Sequence, residues 1–230
     1  MNVIIFSDNH GYLPKLNKCD LVIIAGDITP ASDHSINWQK HWIVSVFIPW
    51  VNNLDCDKVI LVPGNHDFVF DQCEHEIKEI IASETKGKLT VLIHEEYIYH
   101  SNDGGSHRIF GTPYCKLFYN WAFMKESDSL QRVYDQIPEN LDILICHDTP
   151  NIAKQGLIRK GPWMGTNAGN KNLALTIYEK KPKIVFHGHI HSGSHIPLFY
   201  NGTYLQNVSI MDDNLNQEYQ PLELVIENYG

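Results

Sequence analysis

Residues 3–11 read Val-Ile-Ile-Phe-Ser-Asp-Asn-His-Gly, so four apolar residues lead through Ser7 into Asp8, Asn9 and His10. A short apolar run that ends in turn-forming polar residues is typical of a buried strand. Ligands of open α/β sheets gather at the carboxyl ends of such strands, so these polar residues are candidates for a site. The arrangement recurs at residues 21–25 before Gly26-Asp27, 59–62 before Gly64-Asn65-His66-Asp67, 143–146 before His147, and 184–186 before Gly188-His189-Ile190-His191.

The side chains of these blocks are of types that bind transition metals. Carboxylate, imidazole and amide oxygen donors suit manganese, iron, zinc, nickel or cobalt, and the lack of thiolates argues against a structural zinc site. Two such ions about 3.5–4 Å apart can activate a water and hold both oxygens of an in-line displacement at phosphorus. Two cations this close need an anion between them, and Asp27 is placed to bridge them. The blocks therefore predict a two-metal hydrolase.

The order of the blocks resembles the signature of the calcineurin-like metallophosphoesterase superfamily, which runs D-x-H, G-D, G-N-H-D/E, H and G-H-x-H. The match extends over residues 8–191, most of the chain. Carried over position by position, the resemblance implies one ion at Asp8, His10 and His191, a second ion at Asn65, His147 and His189, and Asp27 as the bridge.

In the same resemblance His66 is a catalytic residue rather than a ligand. It would face the phosphate and protonate or stabilise the leaving group, and Asp67 would orient its ring. The implied activity is that of a phosphoesterase, and first of all a phosphodiesterase that hydrolyses small phosphate esters through a metal-bridging hydroxide. The implied cofactors are two divalent ions, with manganese expected first and iron, zinc, nickel or cobalt as alternatives.

A narrower resemblance concerns residues 109–114 and 121–123. Gly111-Thr112-Pro113-Tyr114 and Trp121-Ala122-Phe123 are similar to a G-[ST]-P-W…W-x-F segment of the small brain-type metallophosphoesterase-domain proteins and their bacterial relatives. Some members of that branch lose the last His of G-H-x-H. This chain keeps it as His191, so full metal occupancy is expected. Trp121 and Phe123 either line a substrate pocket or fill core, and the additional carboxylate of Asp148 is a candidate influence on substrate preference.

Composition limits the possible partners. The 230 residues suit one domain, 1–230, with 43% apolar and 20% charged residues and a net charge of −9. That charge disfavours a long nucleic acid but leaves small phosphorylated substrates open, because bound metals supply local positive charge. The sequence lacks a secretory signal and any apolar run near the ~20 residues that a bilayer requires, so a cytoplasmic protein without membrane contact is expected. The five scattered cysteines indicate free thiols, and the oligomeric state stays open.

The fold class predicted from the pattern is α/β with mixed character. Strands and amphipathic stretches alternate in the first half, with a long helix over 36–54 that Pro49 would kink or split. Two hairpins are expected, at Asn102-Asp103-Gly104-Gly105 and at Asn201-Gly202, the second of them between strands over 194–200 and 203–209. The superfamily resemblance implies a four-layer sandwich of two stacked mixed β-sheets flanked by helices.

The sequence leaves several alternatives to a phosphodiesterase. A phosphomonoesterase would use the same residues. A Ser/Thr protein phosphatase would carry Arg-Gly soon after G-D and Glu after G-N-H, where this chain has Ile28-Thr29-Pro30 and Asp67. A repair nuclease would normally need a basic cap. A metal-binding scaffold without catalysis is the non-enzyme alternative, which the intact His66, His189 and His191 disfavour.

Overall fold

The computed structural model describes residues 1–227. Its first sheet is built largely from the first half of the chain. The members are β1 (Asn2–Phe6), β2 (Cys19–Ile24), β3 (Cys56–Leu61), β4 (Leu89–Val91) and β13 (Leu222–Val225). Their order across the sheet is β13-β1-β2-β3-β4, so β13 lies at one edge. β1 to β4 run parallel and β13 pairs antiparallel with β1. Helices lie in the connections from β2 to β3 and from β3 to β4, as expected for crossovers of this kind, whereas residues 7–18 join β1 to β2 without a helix.

The second sheet has six strands among the described residues. Its members are β5 (Glu95–His100), β6 (Ser106–Thr112), β9 (Ile143–Cys146), β10 (Ile184–His187), β11 (Leu198–Tyr200) and β12 (Thr203–Asn207). Their order across the sheet is β11-β12-β10-β9-β6-β5. The four central strands are parallel, and the edge strands β5 and β11 are antiparallel. A short pair, β7 (Cys115–Lys116) and β8 (Met124–Lys125), lies outside both sheets.

Side chains that point alternately to the two faces of the central strands connect the layers of the fold. On β1, Val3 and Ile5 join a core shared with residues of the second sheet, whereas Ile4 and Phe6 join a different core that includes helix residues. Successive side chains of a strand point to opposite faces, so one strand feeds both cores. A third core lies between the second sheet and its helices. The two sheets are therefore stacked and flanked by helices, as the resemblance implied.

The helices divide between the two outer layers. Against the first sheet pack α1 (Ile36–Trp42), α2 (Ile48–Asn53), α3 (Phe68–Gln72) and α4 (Glu74–Glu84). Against the second sheet pack α5 (Ser127–Tyr134) and α6 (Lys171–Lys180). The side chain of Asn170 caps α6 by accepting from the backbone of Asn172 and Leu173.

The long helix predicted over 36–54 is present but changes its winding. A π-helical segment, Ile43–Phe47, joins α1 to α2, and Pro49 lies in the first turn of α2. Proline has no N–H and its ring clashes with the carbonyl four residues earlier, so a wider turn before it avoids the conflict. The expectation that Pro49 disturbs this helix is confirmed, as a change of winding rather than a break.

Both predicted hairpins are confirmed. β5 pairs with β6 across Ser101–Gly105, and β11 pairs with β12 across Asn201-Gly202. The strand expected over 194–200 is wrong in its first half, because only Leu198–Tyr200 forms a strand and residues 194–197 do not. In residues 1–227, no helix combines the length and the apolar character needed to cross a membrane.

The core shared by the two sheets predicts a stability effect at Ile60. This side chain is fully buried on β3, between strands on both sides. Ile60→Ala is expected to lower the free energy of unfolding by about 2–5 kcal/mol, since it removes buried methylenes and leaves a cavity. Ile98→Ala, at a half-exposed position of β5, is the control and should cost less than about 1 kcal/mol. Urea unfolding that gave equal losses would contradict the stacked-sheet core.

Candidate metal centre

The loops after the parallel strands bring the polar blocks together where the two sheets meet. Asp8, His10, Asp27 and His189 all have left-handed backbone, with φ of 55°, 41°, 54° and 69°. Such conformations are uncommon for residues other than glycine and concentrate at functional sites. The chain therefore turns sharply as it leaves three different strands, and each turn directs a metal-type side chain to the same place.

Asp8 is the most completely enclosed carboxylate of this group. Its oxygens accept from the Ser209 hydroxyl at 2.7 Å and from the His189 backbone N–H at 3.1 Å, and the Ser7 hydroxyl donates to it as well. Burial would raise its pKa, but the neighbouring His191 lowers it below the usual value. Asp8 is therefore a fixed anion, held by both sheets.

His191 presents one ring nitrogen to Asp8 and to His10. Its Nδ1–H donates to the Asp212 carbonyl oxygen at 3.0 Å. The other nitrogen, Nε2, lies 3.3 Å from Asp8 Oδ1 and 3.4 Å from His10 Nε2. A carbonyl that fixes one ring nitrogen in this way sets the tautomer of a metal-binding histidine. Asp8, His10 and His191 offer ligand atoms that all lie within 4.8 Å of one another.

His147 repeats this arrangement on the other side of Asp27. Its Nδ1–H donates to the Ala25 carbonyl at 2.9 Å. Its Nε2 lies 2.9 Å from Asn65 Oδ1 and 3.3 Å from Asp27 Oδ2. The ring of His189 is adjacent, with centroids 5.2 Å apart. The sequence-predicted set of Asn65, His147 and His189 is therefore also brought together.

The fit of this donor set to cations follows from its hydrogen-bond balance. With Nδ1 occupied by a carbonyl, a neutral His147 or His191 has only a lone pair at Nε2, and that lone pair faces a carboxylate oxygen. Acceptor atoms at such distances repel one another unless a positive species lies between them. Protons fill this role in the chain alone: burial would lower both pKa values, but Asp27 raises the pKa of His147 to about 10 and Asp8 raises that of His191 to about 9. Metal ions can take the same positions.

The other two imidazoles of the predicted ligand sets, those of His10 and His189, are neutral at pH 7. Burial lowers the pKa of His10 to about 4 and lowers that of His189 as well. The Nδ1 atom of His10 is buried without a hydrogen-bond partner among the described residues, and so is Nδ2 of Asn65. His10 Nε2 lies 3.8 Å from Asp27 Oδ2, which places Asp27 between the two groups of ligands.

Two glycines of the motifs make this crowding possible. A Cβ on Gly188 would collide with Ser7 and Asp8, and a Cβ on Gly64 would collide with Asp27. Neither position has space for any side chain, so the G-H-x-H and G-N-H blocks need glycine for close approach of the loops.

Cys115 lies beside this centre and was missed by the sequence interpretation. Its sulfur is within 4.8 Å of ligand atoms of His147 and His189. It donates to the Pro113 carbonyl, and burial raises its pKa well above the usual value, so it is a protonated thiol. Only its place after Gly111-Thr112-Pro113-Tyr114 hinted at this proximity.

His66 lies at the rim of the centre, and its surroundings differ from the expectation. Its ring packs edge-on against His10, with centroids 5.2 Å apart. The Asp67 carboxylate accepts from the backbone N–H groups of Gly64, Ile28 and Thr29. Asp67 thus organises the loops, because a buried carboxylate satisfies several backbone donors at once. Within residues 1–227, the polar partner of the His66 ring is His34 and not Asp67, which corrects the orienting contact expected for Asp67.

Asp148 and Phe123 have structural surroundings. Asp148 is buried and accepts from Lys116 N at 2.9 Å and from Asn170 Nδ2 at 2.7 Å, so it joins β7 to the start of α6. Phe123 is buried in the first core. Trp121, in contrast, is partly exposed and packs on His66, with centroids 4.8 Å apart.

Comparisons with known proteins relate the chain to a family. Residues 1–193 match the family model for calcineurin-like phosphoesterases. The chain is 27% identical over 218 residues to metallophosphoesterase domain-containing protein 1 of Homo sapiens, covering 88% of this chain and 62% of that protein. It thus spans less than two thirds of the length of this curated relative.

The fold of the chain is similar to that of several solved structures. Phosphopantetheinyl hydrolase from Mycobacterium tuberculosis superimposes with a TM-score of 0.55 at 14% identity, covering 91% of this chain and 89% of that chain. GAP50, the anchor in the inner membrane complex of Plasmodium, superimposes with a TM-score of 0.52 at 9% identity, covering 99% and 78%. At these identities the similarity concerns the fold alone. The family match extends over most of the sequence, and the chain belongs to the calcineurin-like phosphoesterase family.

The raised pKa values of His147 and His191 predict that metal binding releases protons. Both rings carry a proton on Nε2 at neutral pH in the metal-free chain. A cation that binds at Nε2 must displace this proton, so about two protons should leave per chain at pH 7. Because protons compete with the metal, the apparent affinity for Mn²⁺ should rise between about pH 6 and pH 8. Calorimetric titrations in buffers of different ionisation enthalpy measure this release. A release near zero would contradict protonated Nε2 atoms.

Proposed function

We propose that the chain is a phosphodiesterase that requires two divalent metal ions and acts on small phosphate esters. The observation that carries the proposal is the paired orientation of His147 and His191. Each ring is fixed at Nδ1 by a backbone carbonyl and presents Nε2 to a buried carboxylate. We assign one ion to Asp8, His10 and His191, the other to Asn65, His147 and His189, and the bridge to Asp27.

The identity of the metal is part of the proposal. Imidazole nitrogens together with carboxylate and amide oxygens suit manganese first, with iron, zinc, nickel or cobalt as alternatives. Two such ions, when bound, would supply the positive charge that activates water and neutralises the phosphoryl oxygens. The remaining steps depend on side chains of this chain.

His66 is the proposed general acid. Its backbone N–H donates to Asp27 Oδ1 at 2.7 Å, so the residue is tied to the proposed bridging carboxylate. Its ring lies beside that of His10, at the rim of the proposed metal centre. From this position His66 would donate a proton to the oxygen that leaves phosphorus. Asp67 would support the same loop through its backbone hydrogen bonds.

The preference for diesters rests on aromatic side chains beside His66. Phe118 and Tyr119 are exposed and contact Trp121, with ring centroids 5.7 Å and 5.8 Å from it. Trp121 in turn contacts His66. An aryl or nucleoside group on an ester arm could stack on this aromatic group. The net charge of −9 adds support, since it repels a doubly charged monoester more than a singly charged diester.

His66→Ala is expected to retain its metal ions and to lose about 10²–10⁴-fold in kcat, the range for removal of a general acid. The measurement pairs elemental analysis with turnover of bis-p-nitrophenyl phosphate in Mn²⁺. His75→Ala, at an exposed position of α4, is the control and should match the native enzyme. Loss of metal from His66→Ala would mean that His66 is a ligand and that its assignment as acid is wrong.

With manganese bound, bis-p-nitrophenyl phosphate should be hydrolysed with higher kcat/KM than p-nitrophenyl phosphate. Trp121→Ala should reduce this ratio, because it removes the centre of the aromatic group. A higher kcat/KM for the monoester would refute the diester preference and favour a phosphomonoesterase. No turnover of either ester, with metal fully bound, would favour a metal-binding scaffold.

A further inference from the structure

We propose that His34 is a positioning residue for His66 and holds its ring in the orientation needed for proton donation. The inference rests on the function proposed for His66. No sequence pattern selects His34, which lies in the polar segment before α1 and has no motif spacing to the other histidines. The structure places the two rings in direct contact.

The contact is a hydrogen bond between ring nitrogens. His34 Nε2 lies 2.9 Å from His66 Nδ1. The ring centroids are 5.0 Å apart with an interplanar angle of 43°. The ring of His34 also packs against Phe68, with the two ring centroids 5.1 Å apart. His34 is thus held by packing as well as by the hydrogen bond, and it engages the His66 nitrogen that the proposed chemistry does not use.

The backbone of His66 is fixed independently of its ring. Its carbonyl accepts from Gln39 Nε2 at 2.7 Å and from Thr29 Oγ1 at 3.1 Å, and its N–H donates to Asp27. These bonds set where the residue lies but leave rotation of the side chain free. Rotation is restricted by the packing of Trp121 on the ring and by the hydrogen bond to His34. His34 therefore supplies the polar contact that distinguishes one ring orientation from its flipped alternative.

The orientation matters for the reaction because an imidazole has two distinct nitrogens. With Nδ1 bonded to His34, Nε2 is the nitrogen left for the substrate. In the proposed step, a water oxygen bonds to phosphorus and loses its proton to solvent, and the bond from phosphorus to the leaving oxygen breaks. The leaving oxygen keeps the electron pair and takes the proton from Nε2 of His66. The Nδ1–H of His66 stays on its hydrogen bond to His34, and water restores the Nε2 proton.

The substitutions that test this proposal separate the hydrogen bond from the packing. His34→Phe keeps an aromatic ring against Phe68 and His66 but removes the nitrogen. His34→Gln replaces Nε2 with an amide that can still bond His66. His41→Phe, at an exposed position of α1, is the matched control.

The first measurement is the dependence on the leaving group, with aryl methyl phosphate diesters whose phenols range from p-nitrophenol to phenol. An activated leaving group needs little protonation, whereas a poor one depends on the acid. His34→Phe should therefore lose about tenfold in kcat with the phenol ester and less than about twofold with the p-nitrophenol ester, at unchanged KM and metal content. His34→Gln should recover most of the loss. Equal losses across the series, a loss in His34→Gln as large as in His34→Phe, or no loss at all would overturn the proposal.

The second measurement does not need turnover. Long-range proton–nitrogen NMR spectra of the metal-free protein report which nitrogen of His66 carries hydrogen. His34→Phe should shift the His66 Nδ1 resonance, and His34→Gln should restore it. Unchanged nitrogen shifts in His34→Phe would contradict the contact. If the native enzyme hydrolysed neither diesters nor monoesters, the proposed function would fail, and the NMR result would still decide whether His34 holds His66.

Discussion

The structure depends on one electrostatic constraint, which is that two carboxylates and several imidazoles are buried together where the sheets meet. Asp8 and Asp27 are almost completely buried, and burial of an ionised group is costly unless opposite charge is near. The hydrogen bonds around them come from both sheets: Ser7 and Ser209 donate to Asp8, and the loop after β3 donates to Asp27. The site is therefore complete only where the two sheets are stacked against each other.

The site also explains why the loops are strained and crowded. Left-handed backbone at Asp8, Asp27 and His189 is maintained because each turn is held by hydrogen bonds to a neighbouring loop. Asp8 N–H donates to the Gly26 carbonyl at 2.9 Å and His10 N–H to the Asp27 carbonyl at 3.0 Å, which ties the first loop to the second. Strain of this kind persists only where the surrounding structure fixes it. The backbone hydrogen bonds between the loops therefore hold these side chains next to one another.

The sequence predicted the layers because periodicity and strand ends are local properties. The apolar run of β1 and the Asp8-Asn9-His10 turn after it are legible in nine residues. Contacts between distant segments are not local, so neither the Asp212 carbonyl that fixes His191 nor the bond between His34 and His66 could be read from spacing. Asp67 illustrates the difference. Its place after His66 suggested an orienting carboxylate, but its oxygens lie among backbone donors of two loops.

In the proposed centre Asp27 lies between two metal ions held by the imidazoles around it. This arrangement is tested by soaking a crystal of the protein in Mn²⁺ and measuring at the manganese absorption edge. We expect two anomalous peaks per chain about 3.5–4 Å apart, one on each side of the Asp27 carboxylate. A single peak, or two peaks of which neither contacts Asp27, would contradict it.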